Sequence, residues 1–437
     1  MKKTGLSVLL KVLLIAALVL CLAACREKID APASTPGAEG PVTYVSKYDS
    51  GDGWPELNQP LSWEAINAFP IKSEDMSLED ARQLCVDFFR FAKTATWISN
   101  AEYTGYHDWH QTRSFTLQPS GIYGGLPYVS LGSGSIYRLM DFMDEETGVV
   151  NVTEAGKDQH FLGNQCCFGA YWGWGRVINS PDYGFTENMF DETGFLKIGG
   201  YEYGTQYLMG WSEGYGTDEV VAFNGPEKMY ACYALLDTAD GIINWTTAGH
   251  VVMIAEKAHV EYTDEAKTVI DPEKSYVIVV DQGQSWAEGT NEGGDKYQYQ
   301  NRVNAKITFK TLYDNAYMPF TYAEWTGDDP IEKTETTFSH TGETITTADI
   351  FKGTVKSNYG ISDIYAYIYD AKGNEVCKIA NHVEEAGMKE LRFFKQGGGV
   401  YIWGDYSKLN AADGYTVKIV TQLATGERPT LWEGKLA

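Results

Sequence analysis

Two adjacent cysteines, Cys166 and Cys167, are the residues of this chain whose surroundings most favour nucleophilic chemistry. They follow a turn at residues 163–165 and open an apolar stretch in which Phe168 and Tyr171 recur at helical spacing. This pattern predicts a cysteine at the start of a helix. There, unpaired backbone amides and the helix dipole stabilise a thiolate, which is the nucleophilic form of the side chain. Free cysteines are also common in protein cores, so the assignment depends on a partner.

A histidine that could serve as that partner begins a later apolar run. His250 stands at the start of residues 249–255, which read as a buried strand, a rigid position from which to present an imidazole. A second strand-like run, residues 276–280, ends in Asp281 and Gln282. We expect this polar strand end to orient the imidazole.

Taken together, these segments resemble the NlpC/P60 and CHAP group of papain-like cysteine peptidases and amidases. The resemblance rests on Cys166 opening an aromatic helix, His250 within Gly-His-Val, and the strand end at Asp281. The Gly-Leu-Pro-Tyr segment at residues 125–128 is similar to the Gly-x-Pro-Tyr element of NlpC/P60 proteins. The match extends over about residues 120–290.

The resemblance implies cleavage of amide bonds in cell-wall peptides without a cofactor. It makes Cys166 the nucleophile, His250 the general base and then acid, and Asp281 the residue that fixes the imidazole tautomer. Gln282 remains an alternative for this third role.

The resemblance also places the oxyanion at the backbone amide of Cys166, with Tyr128 or Gln165 as further donors. Two residues depart from the family pattern, which has Asp or Asn before the cysteine and Ser after it. Gln165 and Cys167 occupy these positions, so the choice between Cys166 and Cys167 stays open. The long interval before His250 predicts an insertion at residues 179–228.

The N-terminus has the pattern of an export signal. Met1-Lys2-Lys3 is basic and residues 12–24 are apolar, a stretch too short to span a bilayer stably. Leu22-Ala23-Ala24-Cys25 resembles the lipobox of bacterial lipoproteins, which implies acylation of Cys25. We therefore expect an extracytoplasmic protein that is lipid-anchored to the cell membrane.

Composition narrows the range of partners. The formal net charge of −24 repels phosphate backbones, which excludes nucleic acid as an expected partner. The chain has no phosphate-binding loop or zinc-binding helix motif, so we expect neither a metal nor another cofactor. Aromatic residues make up 14% of the chain, which suits the alternative of an inactive surface protein that binds glycans or a partner protein.

The periodicity of the mature chain predicts an α+β fold. A helix is expected at about residues 78–96, with Cys85 buried on its apolar face. Residues 331–437 contain strand-like runs, a hairpin turn at residues 371–374 and no helix signal, which is typical of an all-β, immunoglobulin-like sandwich. We predict four segments: a lipoprotein signal peptide at 1–24, a lipid-anchored flexible linker at 25–45, a papain-like hydrolase domain with an N-terminal helical extension at 46–330, and the sandwich at 331–437.

Overall fold

A computed structural model describes most of the chain after residue 58. The described ranges are 59–74, 76–107, 111, 113–130, 132–157, 162–179, 195–202, 217–244, 249–290, 296–327, 331–394, 400–409 and 414–437. The predicted signal peptide, the linker, Cys25 and parts of the predicted insertion lie outside these ranges.

The described α-helices are mostly short, apart from one that packs at the centre of the fold. In chain order they are α1 Trp63–Asn67, α2 Leu78–Thr94, α3 Ile136–Met140, α4 Val152–Ala155, α5 Cys166–Trp174, α6 Thr217–Asn224, α7 Pro226–Tyr233, α8 Phe309–Asp314, α9 Ala323–Thr326 and α10 Thr347–Lys352. None of these helices is long and apolar enough to cross a membrane.

Helix α2 confirms the helix expected near residues 78–96. It begins where the Ser77 hydroxyl accepts a hydrogen bond from the backbone N–H of Asp80, and Cys85 is fully buried on it. It ends at Thr94, two residues early, because Ala95 adopts a non-helical ψ of 124° and Thr96 enters a strand.

A ten-stranded, mostly antiparallel sheet occupies the first part of the chain. In chain order its strands are β1 Thr96–Ser99, β4 Ile122–Gly124, β5 Met143–Asp144, β6 Val149–Val150, β7 Phe195–Lys197, β8 Gly241–Asn244, β9 His250–His259, β10 Tyr276–Thr290, β11 Lys296–Thr308 and β12 Met318–Tyr322. They lie in the order β5-β6-β1-β4-β11-β10-β9-β8-β12-β7. A separate hairpin joins β2 Tyr103–Tyr106 to β3 Ser114–Leu117.

The central strands β8, β9, β10 and β11 pair antiparallel with one another. Val251, Val252 and Met253 are fully buried at the start of β9. Helices α2 and α5 pack against each other and against this part of the sheet. The start of α5 therefore lies over the start of β9 and the middle of β10.

The C-terminal part forms two further sheets from its own strands, which are β13 Thr336–Phe338, β14 Thr344–Ile345, β15 Thr354–Ser357, β16 Ile361–Tyr369, β17 Glu375–His382, β18 Glu390–Arg392, β19 Val400–Gly404, β20 Thr416–Leu423 and β21 Thr430–Leu436. Their orders are β13-β15-β18 and β14-β21-β20-β16-β17-β19. The hairpin expected at residues 371–374 joins β16 to β17.

The expectation of an all-β C-terminal part was wrong in one respect. Helix α10 interrupts the strands, and its signal is a capping box in which Thr346 and Asp349 bond each other's backbone N–H groups. The α+β class itself is confirmed, with a sizeable β-rich region.

Buried polar contacts join the C-terminal part of the chain to α3 and to the segment that precedes it. The Ser135 hydroxyl lies 2.8 Å from that of Ser362, and Ser133 Oγ donates to the Val383 carbonyl. Arg138 Nε lies 3.4 Å from Asp363 Oδ1, and both side chains are almost fully buried. One contiguous apolar core extends through both parts of the chain.

Candidate active site

Helix α5 begins at Cys166, as the sequence predicts. The preceding residue, Gln165, is extended, with φ −96° and ψ 175°, and its side chain makes no cap to the helix. Gln165 Nε2 donates instead to Cys167 Sγ at 3.1 Å. Cys166 is 6% exposed and stands at the positive end of the helix.

The sheet supplies a histidine and a carboxylate beside this helix end. His250 is the first residue of β9, and its Nε2 lies 2.7 Å from Asp281 Oδ2 on β10. Asp281 is fully buried, whereas the His250 side chain keeps 20% of its surface exposed. His250 also lies beside Cys166, close enough for each group to change the pKa of the other. Because Asp281 engages Nε2, the nitrogen that remains for Cys166 is Nδ1.

The electrostatics of these three side chains favour a thiolate and an imidazolium. A hydrogen bond from Cys167 and the hydrogen bond and charge of His250 lower the pKa of Cys166 well below its usual range, against the effect of burial. Burial alone would lower the pKa of His250. The hydrogen bonds and charges of Asp281 and Cys166 outweigh it and raise that pKa to about 9.

The two cysteines differ in their surroundings. Cys167 is 2% exposed and belongs to the apolar core, whereas Cys166 faces His250. Its hydrogen bond to Cys166 and its burial raise the pKa of the Cys167 thiol well above the usual range. Cys166 is thus the one of the pair that the structure brings together with the histidine and the acid.

The Gly-Leu-Pro-Tyr segment lies directly beside the turn that leads into α5. Tyr128 forms a parallel bridge with Asn164, and the Val129 N–H donates to the Asn164 carbonyl at 3.1 Å. The ring of His107 also contacts this segment, with its Nδ1 2.6 Å from the Tyr128 carbonyl oxygen. A Cβ on Gly163 would lie 2.7 Å from the Pro127 carbonyl, so this close approach requires a glycine.

Gln282, the alternative third residue, points away from the imidazole. Its Nε2 donates to the Leu126 carbonyl at 3.1 Å, and its Oε1 accepts from the ammonium of Lys93. Asp281 therefore occupies the place beside His250, and Gln282 links β10 to the segment at residues 125–128.

Lys93 is a residue that the sequence reasoning missed. It projects from α2 and is 1% exposed. The available signal was its spacing, because Lys93 follows Phe89 by four residues and so shares a face of the helix with that buried ring. The ammonium lies 5.0 Å from the Phe89 ring centroid.

Comparison with family models, with curated proteins and with solved structures found no significant match to this chain. Among the residues that the structure describes, no group of three or more His, Cys, Asp and Glu side chains is placed to hold a metal ion.

Proposed function

We propose that this protein is a membrane-anchored, extracytoplasmic cysteine peptidase or amidase that hydrolyses amide bonds, with peptidoglycan peptides as its substrate class. The observation that carries the proposal is the position of His250, which lies beside Cys166 and forms a 2.7 Å hydrogen bond with the buried Asp281. A sulfur at a helix N-terminus, an imidazole and a carboxylate in this order are the parts needed for thiol-based acyl transfer.

The reaction begins with attack of the Cys166 thiolate on the amide carbonyl carbon. The electron pair of the carbonyl double bond moves onto the oxygen. The backbone N–H of Cys166, at the start of the helix, stabilises the resulting negative charge by a hydrogen bond. When the carbonyl re-forms, the C–N bond breaks and the His250 imidazolium gives its proton to the departing amine. This leaves a thioester on Cys166 and a neutral imidazole.

Hydrolysis of the thioester uses the same groups in reverse. His250 takes a proton from a water molecule as the water oxygen attacks the thioester carbonyl, and the Cys166 thiolate leaves. Asp281 stabilises the imidazolium in both steps and keeps the ring in one orientation. Gln165 directly precedes Cys166 and Tyr128 pairs with Asn164 in the same turn, and we assign both side chains to oxyanion or substrate contacts.

The proposal extends to fold and location. The antiparallel sheet with a cysteine-bearing helix packed on it suits a papain-like domain over residues 46–330, and the two C-terminal sheets suit an immunoglobulin-like sandwich over residues 331–437. The lipobox-like segment ending at Cys25 supports a lipid anchor.

Turnover of peptidoglycan fragments tests the activity directly. We expect Cys166→Ala to lower the rate by about a thousandfold or more, because it removes the nucleophile. Cys167→Ala is the matched comparison, since it removes a sulfur from the adjacent position of the same helix but keeps the nucleophile, and we expect a much smaller loss, which comes from the missing hydrogen bond to Cys166. Equal rates in the wild type and both variants would contradict the proposal.

A second candidate is a surface protein that binds glycans or a partner protein without turnover. It is favoured by the low exposure of Cys166, which leaves little room for a substrate carbonyl without a shift of the surrounding segments. Binding of peptidoglycan fragments with the same affinity to the wild type and Cys166→Ala, with no product formed by either, would support this alternative.

A further inference from the structure

The buried lysine on α2 lies at the point where the two halves of the candidate active site meet. Its Nζ donates to Asn164 Oδ1 at 3.3 Å and to Gln282 Oε1. Asn164 belongs to the turn that leads into Cys166, and Gln282 directly follows Asp281 on β10. One ammonium therefore bridges the backbone segment that carries the nucleophile to the segment that carries the acid.

The space that this ammonium occupies depends on a glycine, Gly169, which has no side chain to fill it. A Cβ on Gly169, in the first turns of α5, would lie 2.8 Å from Lys93 Nζ, 3.3 Å from Gln282 Cβ and 3.4 Å from Asn164 Oδ1. Glycine in a helix interior destabilises the helix relative to alanine. Its presence here lets the ammonium approach the helix backbone.

We propose that Lys93 is a positioning residue that fixes the Cys166 turn against the Asp281 strand end and holds a positive charge beside the thiolate. This inference rests on the proposed function, because it assigns Lys93 a role in the same site. Buried ammonium groups are costly unless they are paired, and the side-chain oxygens of Asn164 and Gln282 supply the partners of Lys93.

Charged groups near Lys93 and its burial act in opposite directions on the pKa of its ammonium. The charges that act on it are those of Cys166 on α5 and Asp281 on β10, and both favour its protonated form. Burial is the larger effect and lowers the pKa of Lys93 to about 7. Lys93 is therefore positively charged below about pH 7. A cysteine with a lowered pKa forms its thiolate in this same acidic range.

The test is the pH dependence of Cys166 alkylation by iodoacetamide, with the modified residue located by tandem mass spectrometry. In the wild type we expect the midpoint to lie well below that of an ordinary thiol. In Lys93→Met, a similar side chain without the charge, we expect the midpoint to move upward by about one pH unit or more. Lys72→Met is the matched control, since Lys72 is also buried and donates to a carbonyl, that of Glu332, away from this site.

Gly169→Ala provides a second variant if Lys93→Met does not fold. The added methyl group displaces the flexible end of the lysine while alanine favours the helix, so we expect an upward shift that is smaller than that of Lys93→Met. A wild-type midpoint near that of an ordinary thiol would contradict the proposed function together with this inference. An acidic wild-type midpoint that Lys93→Met and Gly169→Ala leave in place, or that Lys72→Met moves equally, would overturn the role of Lys93 alone.

Discussion

Asp281→Asn is the substitution whose effect on the site can be worked out most fully. It keeps the shape of a fully buried side chain and removes the charge that lies 2.7 Å from His250 Nε2. The rise in the pKa of His250 from 6.5 to about 9 occurs against the opposing effect of burial. At about 1.4 kcal/mol for each pH unit, the net preference for the imidazolium amounts to about 3 kcal/mol.

Without the charge of Asp281, Cys166 is the remaining group that opposes the effect of burial, and we expect the pKa of His250 to fall. The assay is a proton NMR titration of the His250 ring, identified by the signal that His250→Ala removes. Loss of the correct tautomer should also lower turnover at neutral pH by as much as about 10⁴-fold. A pKa that stays near 9 in Asp281→Asn would refute the reasoning.

The same substitution has a predicted signature in stability. A histidine whose pKa is higher in the folded state than in the unfolded state stabilises the fold fully below pH 6.5, and this contribution disappears as the pH rises through about 9. The difference in free energy of unfolding between wild type and Asp281→Asn should change over that interval, as measured by urea denaturation at several pH values. A difference that is constant from pH 6 to pH 9 would contradict the linkage.

Two further predictions concern the rest of the fold. Gly426 and Gly373 share a positive φ, +89° and +85°, but a Cβ on Gly426 would lie 1.6 Å from Nη1 of the buried Arg176, whereas Gly373 faces open space. We expect Gly426→Ala to lose about 1–3 kcal/mol more unfolding free energy than Gly373→Ala in urea denaturation, and equal losses would contradict the packing argument. Asp363→Ala leaves both the buried guanidinium of Arg138 and the buried ring of His382 without the carboxylate that they share, and it should cost about 3–5 kcal/mol. A loss below about 1 kcal/mol, typical of an exposed pair, would contradict this expectation.

Local patterns predicted the elements that hold the site because those patterns are short in range. The capping serine at Ser77, the apolar face of α2 and the aromatic spacing after Cys166 each depend on residues within a few turns. His250 could be placed at a strand start for the same reason. The expectation that Cys166, His250 and Asp281 meet in space came from the resemblance to papain-like peptidases, because local patterns do not specify contacts between distant segments.

Contacts that join distant segments could not be read from these patterns. Lys93 lies on α2, yet its partners Asn164 and Gln282 come from a loop and a strand far along the chain. A single lysine on an apolar helix face is more often read as the edge of a solvated face. The ion pair between Arg138 and Asp363 was missed for the same reason.

Local sequence patterns also could not decide whether Cys166 or Cys167 faces His250. Neighbours on a helix point about 100° apart, so one of the pair faces the sheet end that carries His250 and the other faces the core. Sequence spacing does not determine which is which. The packing of α5 against β9 and β10 places Cys166 toward His250.

The central claim is that Cys166 and His250 form a thiolate–imidazolium pair, and the thiolate absorbance in the ultraviolet tests it directly. The measurement is a pH titration of the wild-type protein minus that of Cys166→Ala. We predict that the difference signal is already present at neutral pH and is lost only in acid. A difference signal that appears only above pH 8.5, about the pKa of a free cysteine, would contradict the claim.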